Sequence, residues 1–207
     1  MDHFFYDVAS ILICDPVVEN RSATRSVLYA QGCRNMETVG TLRDFTLALE
    51  KNPPDIALVE TAQSVPQLCQ LIRTLREGDP RFNPFTLIIA TSWQTDAKLA
   101  AQISNAGADS LMSRPFSAAQ LRERIEIHVQ RKRRFVVTPN YVGPERRSDP
   151  SRDSGAIAFE APDTIAIKEE LWAHRDDMVR RLAAEVAKGR AKLAAARSRV
   201  TQAALNG

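Results

Sequence analysis

The 207-residue sequence has only three cysteines, Cys14, Cys33 and Cys69, and no Cys-x-x-Cys pair. An odd count without ligand spacing argues against a disulfide framework or a zinc site and suits a reduced, cytoplasmic setting. Long apolar runs are missing too: no stretch approaches the roughly 18 residues a membrane helix needs, so no membrane contact is expected. The opening Met-Asp-His-Phe-Phe-Tyr-Asp lacks the basic and apolar regions of a secretory signal. There is no P-loop, no Gly-x-Gly-x-x-Gly and no Gly-x-Ser-x-Gly elbow, which removes the common nucleotide-cradle and serine-hydrolase readings. His3, His128 and His174 are far apart and have no metal-ligand spacing, so no metal site is expected; His128 reads as a partly exposed helix residue.

Apolar residues make up 44% of the chain and charged residues 26%, enough for a packed core and a soluble surface. Charge is unevenly placed. Residues 1–130 hold 12 Lys/Arg against 15 Asp/Glu, whereas residues 131–207 hold 16 against 10. An anionic partner is therefore expected at the C-terminal part.

Three unbroken apolar runs, Ser10–Cys14, Asp55–Val59 and Phe85–Ala90, end at Asp15, Glu60 and Thr91. Such runs suit parallel strands covered on both faces. Weaker strands are predicted at 35–39 and, after the turn Ala106-Gly-Ala-Asp109, at 110–113. Helices are predicted near 17–31, 42–51, 64–77, 95–106 and 117–133, with Thr41, Ser64 and Ser117 as N-caps. Five βα repeats predict an α/β domain over 9–131, a doubly wound five-stranded parallel sheet.

Residues 132–164 carry Pro139, Pro144, Pro150 and Pro162 and read as an irregular basic linker. One long helix is predicted over 165–205, with Ile165, Trp172, Val179, Val186, Leu193 and Val200 at heptad spacing. The companion seam, with Lys168, Arg175 and Gly189, is poor. An amphipathic helix leaning on the first domain or a partner fits better than self-association as a coiled coil, and Gly189 marks a break.

In open parallel sheets, functional groups gather where the strands end. Ile11-Leu-Ile-Cys-Asp15, Pro54-Asp-Ile-Ala-Leu-Val-Glu60, Ile88-Ile-Ala-Thr91 and Gly107-Ala-Asp-Ser-Leu-Met-Ser-Arg-Pro-Phe116 resemble, in order and spacing, the CheY-like receiver domain of two-component response regulators. The resemblance covers residues 9–131. It implies a flavodoxin-like fold in which a strand-three aspartate accepts a phosphoryl group beside magnesium, read by a Thr or Ser and a Lys. Here Asp15 matches one member of the acidic pair but Pro16 replaces the other. Glu60 stands at the acceptor position, Thr91 matches, and Arg114 replaces the lysine. Magnesium tolerates missing ligands poorly, so none is expected. Glutamate sets its carboxylate about 1.5 Å further out, where a phosphoryl oxygen would sit. Arg114 is expected to fork onto Glu60 with two parallel hydrogen bonds. The resemblance and its departures together imply a degenerate pocket of Asp15, Glu60, Thr91 and Arg114.

Beyond that unit, residues 131–152 hold seven basic and two acidic residues. Arg131, Arg133, Arg134, Arg146 and Arg147 offer planar forks for phosphate or guanine, and Tyr141 offers a stacking face. The segment is similar to CheY-like proteins that bind cyclic di-GMP through an arginine-rich stretch after the last receiver helix, which makes cyclic di-GMP a candidate ligand. A solvated basic helix end joined to an ordinary linker is the bland alternative.

The leading reading is a non-enzymatic signalling adaptor in a phosphorelay setting. It would present the fourth and fifth helices, with Leu99 and Leu121, to a protein partner. The alternative is a phosphorylation-dependent regulator with an output tail, which Pro16 and Glu60 oppose. No helix-turn-helix follows, which argues against specific DNA binding, while Lys188–Arg199 hold five basic and no acidic residues and allow salt-sensitive phosphate contact.

Overall fold

The computed structural model describes residues 6–131, 133–145 and 156–206, without the side chains of Glu169, Leu171 and Trp172. Five βα units come first: β1 Ser10–Cys14, α1 Val18–Ala30, β2 Asn35–Val39, α2 Leu42–Lys51, β3 Ile56–Glu60, α3 Val65–Arg76, β4 Leu87–Ser92, α4 Ala97–Ala106, β5 Ser110–Ser113 and α5 Ala118–Gln130. All pairings are parallel in the order β2-β1-β3-β4-β5. Side chains alternate across each strand, so one apolar run feeds two cores. Leu12 and Cys14 face Phe45, Leu68 and Ile103 on one side; Ile11 and Ile13 face Leu28, Leu121 and Ile125 on the other. Leu121 is therefore core and cannot serve as the docking residue the sequence offered.

The caps form as anticipated. Thr41, Ser64 and Ser117 accept from the backbone N–H of Asp44, Gln67 and Gln120, and Asp96 does the same for α4. Each satisfies a donor that the first helical turn leaves unpaired.

The described residues of 132–164, read from the sequence as an irregular linker, are largely strand. They supply β6 Arg134–Thr138, β7 Tyr141–Pro144 and β8 Ile157–Glu160, an antiparallel sheet of order β7-β6-β8. Phe135 and Val137 point inward while Arg134 faces water, an alternation too short to stand out among the surrounding prolines. Pro139 and Asn140 make the turn, and Pro144 sits on an edge strand, where a missing N–H costs no ladder bond. Phe85, read as the start of a strand, precedes β4 instead; its ring stacks edge-on against Phe135 at 5.2 Å and Phe159 at 6.4 Å. This aromatic cluster joins the added sheet to the first unit.

The C-terminal helix is two helices, α6 Thr164–Ala173 and α7 Arg175–Leu205, parted at His174. No break occurs at Gly189. A Cβ there would lie 2.8 Å from the Phe85 ring and 3.0 Å from Pro162, so the glycine lets the helix backbone approach. The buried stripe of α7 is Met178, Gly189, Leu193, Ala196 and Val200, while Val179 from the heptad seam is 56% exposed. A 3.6-residue helix drifts off a strict seven-residue spacing, and the stripe that packs on the body of the protein follows the helix. At the opposite end of the sheet from Asp15, Glu60 and Thr91, Lys168 of α6 binds the Asp55 carboxylate, which also accepts from Ser10 N at 2.8 Å and Ser10 Oγ at 2.6 Å.

Candidate functional site

The carboxyl ends of β1, β3, β4 and β5 bring together Asp15, Glu60, Thr91 and Arg114. The parallel register sets Glu60 directly beside Thr91. Asp15, Glu60 and Thr91 are buried, and Arg114 is largely covered, with 9% of its side chain exposed. Arg114 Nε donates to Glu60 Oε2 at 2.9 Å and lies 3.3 Å from Thr91 Oγ1, while the Thr91 hydroxyl donates to the same Oε2 at 2.8 Å. Glu60 Oε1 accepts from the Thr61 backbone N–H at 3.1 Å. The other arm of the guanidinium, Nη2, lies 3.1 Å from Asp15 Oδ2, an ion pair outside hydrogen-bond geometry. Asp15 Oδ1 takes the backbone N–H of Val17 at 2.8 Å.

The expected fork onto Glu60 is thus divided: one arm meets Glu60 and the other meets Asp15. A second carboxylate within reach makes the split preferable, because a guanidinium between two buried carboxylates relieves both charges. Phe116 supports it from below, with its ring centroid 4.8 Å from the guanidinium carbon. The cation occupies the place between the acidic groups, so this pocket holds its own counter-ion. The Arg114–Pro115 bond that precedes Phe116 is cis.

Among the described residues, the arginine-rich candidates do not converge. Arg133 pairs with Asp109 at 3.2 Å and donates to the Phe85 carbonyl, so its fork is consumed inside the protein. Arg134 is exposed and pairs with Glu145 at 3.3 Å. Tyr141 donates its hydroxyl to Pro144 O at 2.8 Å and lines a cleft of about 160 Å³ with Arg73, Asn105 and Arg197. Arg131 is exposed and borders a different, smaller cleft with His128, Asp163 and Thr164. Arg146 and Arg147 lie outside the described residues, as does His3. His128 is a partly exposed helix residue, as anticipated, though its Nε2 is buried without a hydrogen-bond partner among the described residues. Burial holds its pKa below the ordinary histidine range; Asp109 opposes this, and Arg133, Arg124 and Arg131 add to it.

Sequence reasoning missed the most buried ionic centre. Arg76, 0% exposed, pairs with Asp109 at 2.8 Å and donates to the carbonyls of Gly107 at 2.8 Å and Thr86 at 2.9 Å, and to Pro84 O. Asp109 also accepts from the Ile88 N–H at 2.7 Å. The one available signal was an aspartate in a Gly-Ala-Asp turn, which reads simply as turn chemistry.

No protein-family model matches the chain. No curated protein matches it either. Solved structures do. It is similar to a response regulator from Thermotoga maritima (21% identity, TM-score 0.52), covering 59% of this chain and 98% of that one. It is likewise similar to the chemotaxis protein CheY4 of Vibrio cholerae (18%, 0.51), covering 57% and 97%. A CheY-like response regulator receiver domain protein from Methanospirillum hungatei (21%, 0.50) is covered to 92%, by 58% of this chain. The five-stranded unit has the CheY-like receiver fold. Among the described residues no helix is long and apolar enough to cross a membrane.

Proposed function

We propose that the protein is a response-regulator-like signalling adaptor whose receiver unit does not take up phosphate. One observation carries this reading: Arg114 bridges Asp15 and Glu60, filling with a guanidinium the space where a metal ion and a phosphoryl group would have to enter. Removing that cation would leave two buried carboxylates without compensation, so the bridge is a structural lock and not an exchangeable ligand. The adaptor would work by protein contact, in a phosphorelay setting, through the α4–β5–α5 face, where Leu99 and Leu111 are only partly covered. Incubation with acetyl phosphate and magnesium is expected to leave the intact mass unchanged. The Pro16→Asp/Glu60→Asp/Arg114→Lys variant is expected to gain about 80 Da, one phosphoryl group. A wild-type adduct on Glu60 would overturn the proposal in favour of a phosphorylation-dependent regulator.

Gating by cyclic di-GMP belongs to the same proposal in a narrower form. Arg133 is engaged with Asp109 and Phe85 O, so Arg131, Arg134, Arg146 and Arg147 are the arginines that would carry it. Calorimetric titration is expected to give binding heat for the wild type and none for Arg146→Ala/Arg147→Ala. Equal heats from both, or no wild-type heat, removes the nucleotide from the reading.

A further inference from the structure

The basic residues of α7 divide into two sets by their place on the helix. From Val186 to Asn206 the chain holds Lys188, Arg190, Lys192, Arg197 and Arg199 and no carboxylate. Arg190 and Arg197, two turns apart, flank the buried stripe on one side and turn inward. Arg190 donates to Phe82 O, and Arg197 donates to Glu77 O at 2.6 Å. Both fasten the helix to the receiver unit.

Lys188, Lys192 and Arg199 are placed otherwise. At 3.6 residues per turn they fall within about 40° of one another, on the other flank of the buried stripe. All three are exposed. Lys192 and Arg199 have no ion-pair partner among the described residues. Lys188 has Glu185 at 3.6 Å, but both side chains are about half exposed or more, so the pair neutralises little. Lys188 and Lys192 stand one turn apart, an arrangement that costs an isolated helix a few tenths of a kcal/mol. Three cations therefore lie in a line about 16 Å long at 1.5 Å per residue, with no internal counter-charge beyond that weak pair.

We infer that this line is a docking surface for the phosphate backbone of duplex DNA, read without regard to base sequence. The residues beside the line select this occupant. Ala184, Ala195 and Gln202 lie along it, so there is no aromatic face to stack an unpaired base and no apolar anchor for a protein interface. A membrane-surface helix would need a free apolar face next to its cations, and here Leu193, Ala196 and Val200 are already buried against the body of the protein. A duplex asks only for positive charge along a rod, because it carries one negative charge per about 1.7 Å of axis. The net positive charge of residues 131–207, against the net negative charge of residues 1–130, orients such a contact tail-first.

The test is fluorescence anisotropy of the full chain with two labelled duplexes of unrelated sequence, titrated between about 50 and 200 mM salt. Both duplexes are expected to bind equally, with a log–log salt slope of about −3 for three neutralised phosphates. Lys188→Glu/Lys192→Glu/Arg199→Glu is expected to weaken binding by about tenfold or more. Its urea midpoint should match the wild type, because all three side chains lie in solvent. The inference fails if neither duplex binds at low salt, or if the triple variant binds as the wild type does. It also fails if phosphatidylserine vesicles bind and duplexes do not, or if the variant's only effect is to change self-association in sedimentation.

Discussion

Asp109→Asn is expected to cost about 3–5 kcal/mol of folding stability, because it strands the fully buried Arg76 guanidinium without a counter-charge. Arg76 and Asp109 are 0% and 1% exposed and meet at 2.8 Å. Burial pushes the Arg76 pKa below its ordinary value, and Asp109 is the main group pulling it back. The asparagine keeps the shape and can still accept one hydrogen bond, so the loss reports charge and not volume. The carboxylate also holds Arg133 and the Ile88 N–H, so the substitution loosens the start of β4, the turn before β5 and the entry to β6 together. For a domain whose whole stability is about 5–15 kcal/mol, the urea midpoint should fall steeply. A loss under about 1 kcal/mol would mean that the carbonyls of Gly107, Pro84 and Thr86 suffice to hold the guanidinium.

The second large effect concerns Gly189. In a solvent-exposed helix, Gly→Ala stabilises by about 1 kcal/mol. Here the added methyl meets the Phe85 ring at 2.8 Å and Pro162 at 3.0 and 3.1 Å, so Gly189→Ala is expected to destabilise. Gly189→Leu goes further. Overpacking of about 1–3 kcal/mol or more is relieved most easily by lifting α7 off the Phe85–Phe135–Phe159 cluster. Backbone amides of α7 should then exchange faster while those of β1, β3 and β4 keep their protection. The sign of the alanine variant is the decisive reading, since a raised melting temperature would mean that α7 stands clear of the receiver unit.

How far the molecule was legible varies from residue to residue, and the pattern is physical. The apolar runs at β1, β3 and β4 and the caps at Thr41, Ser64 and Ser117 act over a few positions, so they were readable in place. Asp15, Glu60, Thr91 and Arg114 were readable because strand ends in a parallel sheet converge by construction. Their exact bonding was not. That Arg114 divides itself between Glu60 and Asp15 depends on where three strand ends come to rest, to within an ångström. Arg133 looked free for a ligand because its partner, Asp109, lies 24 residues away. The prolines of 132–164 hid three strands because β6 and β8 pair across a gap that no local period reveals.

Local periodicity and side-chain chemistry settled the parallel α/β unit, the convergence of Asp15, Glu60, Thr91 and Arg114, and the drift of positive charge toward the C-terminus. Tertiary packing alone decided the rest: that Lys168 would find Asp55 across 113 residues, that Arg190 would find Phe82 O across 108, and that Gly189 would be a contact instead of a break. The reason is range. Hydrophobic alternation and capping are won within one or two turns, whereas a buried ion or a close backbone approach takes its energy from a partner that only the completed fold brings near.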